Sequence, residues 1–235
     1  MGTSIDDIKE DVAIEESFQG RSLDREKLLQ CIYLLVEGAT EEQALPSLLA
    51  TAGADLDELG VVLVNMGGAN NATHIVRTLL LTLSADRPVV LVLDNDDEGK
   101  RAANSSTLRA HPHLTTMMVP AQGVVELASG ARGGSFEEMF DLSQVIEAVV
   151  EQLDAGGPSA TDLHADVDPQ QPWLAQISRI CRASVSGFRE IDKVEVAICL
   201  SSTTPAPADI QRLAALLTGL RDDNPVLPHH EAVDS

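Results

Sequence analysis

Apolar residues gather in four short runs separated by stretches with helical spacing. The first, Cys31 to Val36 (CIYLLV), stops at Glu37-Gly38, and the second, Val61 to Val64 (VVLV), at Asn65 and Gly67-Gly68. The third, Val89 to Leu93 (VVLVL), ends in the acidic stretch Asp94 to Glu98 (DNDDE), and the fourth covers Thr115 to Val119. Runs of this length, rich in branched residues and bounded by turn formers, predict strands, and their lack of polar alternation predicts burial on both faces. Between the first two lies a helix with Thr40 as N-cap and Gln43 three residues on, running to about Ala52, with Pro46 inside it expected to kink it by removing one backbone bond. Between the second and third, Ile75, Leu79 and Leu83 mark one face of a helix from about Thr73 to Ser84. A polar helix to about Ala110 follows the third. The alternation predicts an α/β fold, a parallel-sheet, Rossmann-like core with helices on both faces.

From Ser135 the spacing is helical, over Phe136 to Phe140 and then Leu142 to Leu153. Residues 154–172 (DAGGPSATDLHADVDPQQP) have the Gly, Pro and Asp content of a linker. A second helical section follows, with Trp173, Leu174, Ile177 and Cys181 on one face and Ile210, Leu213, Leu217 and Leu220 on another. Val194 to Leu200 reads equally as helix or strand. The expected organisation is a polar tail over 1–22, a core over 23–153, the linker over 154–172, a C-terminal helical section over 173–222 completing the same domain, and a disordered tail over 223–235.

Aromatic residues make up only 3% of the chain, so a core must be built from Leu, Val, Ile and Ala. Charge changes the picture more. Sixteen Lys and Arg stand against 37 Asp and Glu, a formal −21, which argues against a broad nucleic-acid-binding surface unless bound cations reverse the local sign. Cys31, Cys181 and Cys199 are far apart and lack zinc-site or disulfide spacing, so buried free thiols are expected. The acidic N-terminus is unlike a signal peptide and no apolar run approaches membrane length, which predicts a cytoplasmic protein without membrane contact.

In parallel sheets ligands bind beyond the carboxyl ends of the strands, which is where this sequence concentrates its acids. Glu37 ends the first strand, Glu41 lies four residues beyond it, and Asp94 and Asp96 end the third. An isolated carboxylate in such a place is often a helix cap. Four of them at two strand ends suit a hard cation that needs several oxygen ligands, provided the two strands are neighbours. His111 and His113 read as an exposed turn, and Arg132 beside Gly133-Gly134 as a solvated loop residue. Ser105-Ser106 and Ser201-Ser202 lack the partners of a serine hydrolase.

The strand Ile32 to Val36 with Glu37-Gly38-Ala39-Thr40-Glu41, followed by a strand ending in Asp94-Asn95-Asp96, resembles the two motifs of TOPRIM domains. The EGxTE form, Leu45-Pro46 in the helix and Gly67-Gly68 after the second strand resemble in particular the overcoming-lysogenization-defect (OLD) family nucleases. The resemblance implies a phosphodiester-cleaving enzyme acting on DNA or RNA with Mg²⁺ or Mn²⁺. It implies Glu37, Asp94 and Asp96 at the metal, Glu41 and Glu137 completing a second metal position, and Lys193 stabilising charge on the phosphate. In Phe136-Glu137-Glu138-Met139 the second glutamate is expected to be solvated. OLD proteins carry an ABC-type ATPase domain ahead of the TOPRIM domain. No GxxxxGK[ST] occurs in this chain and Gly99-Lys100 follows acids, so the expectation is a chain working with a separate ATPase subunit. Whether it forms a homodimer is left open.

Two other classes compete. A regulatory or interaction module could use the same acids, but receiver domains place paired acids after the first strand and the phosphoacceptor after the third. Phosphatases of the haloacid-dehalogenase type place Asp-x-Asp after the first core strand, where this chain has Glu37.

Overall fold

The computed structural model of the protein describes residues 30–82, 87–153, 157–185 and 188–225. Four strands, β1 (Ile32–Val36), β2 (Val61–Asn65), β3 (Val89–Asp94) and β4 (Leu114–Val119), form one sheet in the order β2-β1-β3-β4, all parallel. The four apolar runs are these strands, and β1 and β3 are buried along nearly their whole length. Their continuous apolar character follows from cover on both faces. Ile32, Leu34, Val36, Val61, Val90 and Val92 face one core, and Tyr33, Leu35, Val64, Val89, Leu91 and Leu93 face the other.

The helices are α1 (Ala39–Thr51), α2 (Ala72–Thr82), α3 (Asp97–Ala103), α4 (Ser106–Arg109), α5 (Leu142–Val150), α6 (Ala160–Asp166), α7 (Trp173–Ser184), α8 (Lys193–Leu200) and α9 (Ala208–Asp223). The smaller core is closed by α2, through Ala72, Ile75, Val76 and Leu79, and by Leu108 of α4. The larger takes α1 and α5 to α9. α8 lies against α1 and α5, and α9 against α1 and β1. The C-terminal helices thus share one core with the sheet. Arg221 near the end of α9 fastens this arrangement, donating to the carbonyls of Leu59 (2.7 Å), Gln30 (3.1 Å) and Asn224 (2.8 Å).

Several local readings are corrected. α1 begins at Ala39 with Gly38 as N-cap, so Thr40 lies inside the first turn, and the carboxylate reaching back to the cap amide is Glu41, not Gln43. Pro46 lies within α1, which continues through it as one element. The polar helix after β3 is two helices, α3 and α4, and Val194–Leu200 is helical, started by Asp192, which accepts from the amides of Val194 and Glu195. Part of the segment read as a linker is ordered helix: Ser159 caps α6, and Leu163 is buried in the larger core between α5 and α7. A Gly- and Pro-rich frame masked the apolar anchors, Leu163 and, four residues on, Val167. α9 reaches Asp223, past the expected end of the helical section at 222. The hairpin β5 (Val125–Glu126) and β6 (Arg132–Gly133) was not foreseen. Cys31 and Cys181 are buried thiols, as expected, whereas Cys199 is half-buried. The tail 1–22, Leu83 and Ser84 at the end of the second helix, and residues 226–235 of the C-terminal tail lie outside the described residues.

Leu163 separates a spacer from a structural helix. Leu163→Ala should cost about 3 kcal/mol of unfolding free energy, the usual toll of truncating a fully buried leucine, read from urea denaturation. An unchanged midpoint would return 154–172 to the status of linker.

Candidate metal centre

The sheet order makes β1 and β3 direct neighbours, with Tyr33 opposite Val89 and Leu35 opposite Leu91. The condition for the two acid groups to meet is therefore satisfied. Glu37, just past β1, accepts from the Asp94 amide at the end of β3 through Oε2 (3.2 Å). Glu41, one turn into α1, is buried and accepts from the Gly38 amide (3.0 Å). Asp96 caps α3, its Oδ1 accepting from the amides of Glu98 (2.9 Å) and Gly99 (2.7 Å). This cap fixes the carboxylate, which carries a second oxygen. Gly99 is required by the packing, because a Cβ there would stand 2.0 Å from the Asp94 carbonyl oxygen.

Asn95, between the two aspartates, ties in the fifth acid. Its side chain donates to the Pro120 carbonyl (2.8 Å), its amide to Val119 (2.8 Å), and its carbonyl accepts from the Gly134 amide (3.1 Å). Gly133 makes that approach possible: a Cβ on it would lie 2.0 Å from the Asn95 carbonyl oxygen. The hairpin is thus docked on the Asp94–Asp96 turn, and the chain leaves it through Ser135 into a 3-10 turn over Phe136–Met139.

In that turn the two glutamates have different surroundings. Glu138 is buried, not solvated as expected. It accepts from the Ser135 amide (2.6 Å) and hydroxyl (2.7 Å) and from the Trp173 amide at the start of α7 (3.1 Å). Its carboxylate is consumed by capping. Glu137, also buried, has among the described residues only a share of that same Ser135 hydroxyl proton (2.8 Å). Ser135 was not singled out in the sequence; a serine ahead of two glutamates looks like any helix cap.

The electrostatics show that the acids sense one another. The Asp94 carboxyl is pushed well above the usual carboxylate range, first by burial and then by Glu41, Glu37, Glu137 and Asp96. Its Oδ1 is buried without a hydrogen-bond partner among the described residues. Burial, chiefly, and the charges of Glu37 and Glu137 raise Glu41 to about 7. Glu37 is raised by burial, with Asp96 and Glu98 adding repulsion against the Asp94 and Ala69 amides. A buried carboxylate oxygen with no donor is costly. One positive ion among these oxygens would satisfy it and relieve the repulsion, so the donor set fits a divalent cation. Among the described residues, however, no three His, Cys, Asp or Glu side chains stand close enough together to grip an ion as they are placed.

Lys193 is exposed at the first position of α8, on the wall of a cleft of about 350 Å³ that Ser135, Glu137 and Glu138 also line. The remaining candidates fall away from the acids. His111 is buried rather than exposed, its Nδ1 accepting from the His113 amide (3.0 Å), and Arg132 donates to the Val124 carbonyl of its own hairpin.

Residues 32–96, which span β1 to Asp96, match the family described as overcoming lysogenization defect protein-like, TOPRIM domain. The chain carries an OLD-like TOPRIM domain. Solved structures agree on the fold. The C-terminal region of the Xanthomonas campestris pv. campestris OLD protein is 20% identical with a TM-score of 0.52, over 86% of this chain and 97% of that one. The C-terminal region of the Burkholderia pseudomallei OLD protein is 19% identical with a TM-score of 0.50, over 85% of this chain and 99% of that one. No curated protein matches the chain. The likeness in fold therefore extends well beyond residues 32–96. No helix among the described residues is long and apolar enough to cross a membrane.

Glu41 gives the acid group a pH signature. Its folded value of about 7 lies above the ordinary 4.5, so its contribution to stability is fully present below about pH 4.5 and lost as pH rises through 7. In EDTA the titration of Glu41 alone should cost about 3 kcal/mol across that window, and Glu41→Gln, which keeps the acceptor for the Gly38 amide, should make the profile shallower by that amount. Equal slopes for the two proteins in urea denaturation from pH 4.5 to 7 would show that Glu41 titrates normally.

Proposed function

We propose that this chain is a divalent-metal-dependent nuclease of OLD-like TOPRIM type that hydrolyses phosphodiester bonds in DNA or RNA. The observation that carries the reading is the unpaired, buried Oδ1 of Asp94, set among Glu37, Glu41, Glu137 and Asp96 at the carboxyl ends of two adjacent parallel strands. TOPRIM domains generally bind divalent metals, and the family match covers four of these five acids.

Glu37, Asp94 and Asp96 would hold one ion, and Glu41 and Glu137 would complete a second position. Mg²⁺ or Mn²⁺ held there supplies the positive charge that activates water and stabilises the leaving oxygen. Like-charged carboxylates repel, so drawing these side chains to ligating distance requires that charge. The chain's own part is positioning. The Asp94 amide holds Glu37, the α3 amides hold Asp96, and the Ser135 hydroxyl holds Glu137. Glu138 is structural, anchoring the start of α7. Lys193 lines the same cleft as Glu137, and in this reading its ammonium stabilises the negative charge that grows on the phosphate. With a formal charge of −21, a separate ABC-type ATPase subunit that contributes positive surface suits this chain better than action alone.

Calorimetric titration of Mn²⁺ into the wild-type protein and an Asp94→Ala/Asp96→Ala variant tests the reading, with cleavage assays on DNA and RNA alongside. Affinity for Mn²⁺ should fall by more than about 100-fold in the variant and cleavage should disappear. Metal-dependent cleavage that survives in the variant would sink the assignment. A wild-type protein that takes up no metal would point instead to a regulatory or interaction module on the same fold.

A further inference from the structure

The cleft beside Glu137 has a second wall that the nuclease reading does not use. α7 buries Trp173, Leu174, Ile177 and Cys181 and turns Arg179 and Arg182, three residues apart, to the other side. Both line the cleft with Lys193, so three of the chain's sixteen Lys and Arg meet in one depression. The acids around them are mostly committed elsewhere. Glu138 is occupied by Ser135 and Trp173, and Glu137 faces Asp94 and Glu41 closely enough to raise both. Among the described residues only Glu190 pairs with one of these cations, Arg182, at 2.8 Å. Their side chains are 63% and 78% exposed, and such a pair is worth at most about 1 kcal/mol, so a better anion displaces it readily. Arg179 and Lys193 have no hydrogen-bond or ion-pair partner among the described residues.

We propose that Arg179 and Arg182 form a phosphate-binding subsite that holds the backbone of a nucleic-acid strand beside the phosphate to be cut. The proposal rests on the nuclease reading and adds to it the path of the strand, from the acids past Glu137 along α7. Two guanidinium groups suit phosphate because each presents a planar fork of donors. They also explain how so acidic a chain engages a polyanion: it needs only a local cationic track, not a basic surface. Arg179 and Arg182 position substrate and do not touch the reacting atoms.

Fluorescence anisotropy with fluorescein-labelled DNA, as a single strand and as a duplex of about 20 nucleotides, tests this with Ca²⁺ in place of Mg²⁺ and salt varied between about 50 and 200 mM. Arg179→Gln/Arg182→Gln is compared with wild type and with Arg101→Gln/Arg109→Gln, which removes equal charge from α3 and α4 over the opposite face of the sheet. The α7 pair should raise Kd at least about tenfold and lower the slope of log K against log salt by about 1.4 to 1.8, the release of counterions from two phosphates. The control should stay within about twofold, and Mn²⁺ affinity by calorimetry should be unchanged in both variants. DNA binding by the α7 variant equal to that of the control overturns the subsite while leaving the metal centre intact. Failure of the nuclease reading has another signature, a wild-type protein that takes up no Mn²⁺ and cleaves nothing. That outcome, or wild-type binding to neither DNA, overturns the subsite as well.

Discussion

The structure around the acids depends on one contact, the pairing of β1 with β3. It brings Glu37 to the Asp94 amide and sets carboxylates from two separate chain segments against each other at the floor of the site. Sheet hydrogen bonds hold the strands in parallel register, and apolar cores on both faces exclude water from their ends. Burial there, first, and then the repulsion of neighbouring acids, which water no longer screens, raise Asp94 and Glu41. The fold concentrates negative charge at a place where it is destabilising, and the cation of the proposed function would relieve that repulsion.

Everything else at the centre is arranged around that floor. Gly99 lets α3 sit on the Asp94 carbonyl, and Gly133 lets the hairpin sit on the Asn95 carbonyl. The hairpin delivers Ser135 and Glu137, and Glu138 accepts from the first amide of α7. The same few residues thereby join the acids to the helix that carries Arg179 and Arg182. The C-terminal helices complete one core with the sheet, and Arg221 closes it at the far ends of β1 and β2.

Much of this could be read from the sequence, and the limits have physical causes. The strands were legible because burial on both faces leaves unbroken apolar runs, and the acids because strand ends are where such runs stop. Adjacency of β1 and β3 was not, since strand order is set by long-range packing; it stood only as a condition. The two-residue strands of the hairpin have too little pattern to be seen. Glu137 and Glu138 are interchangeable in a Phe-Glu-Glu-Met string, and Trp173, 35 residues downstream of Glu138, helps decide which one caps. The 154–172 segment misled because two buried residues, Leu163 and Val167, among Gly, Pro and Asp are too few to show a period. Arg179 and Arg182 carry no signal of their own in the sequence, because only the fold sets them in one cleft with Glu137.

The most direct measurement of the central claim is anomalous diffraction at the manganese edge from crystals of the wild-type protein grown with Mn²⁺. A peak bounded by the carboxylates of Glu37, Asp94 and Asp96, with the Asp94 oxygen that lacks a hydrogen-bond partner among its ligands, is the expected result. Manganese bound elsewhere, or a fully ordered set of strand-end acids with no peak among them, would contradict it.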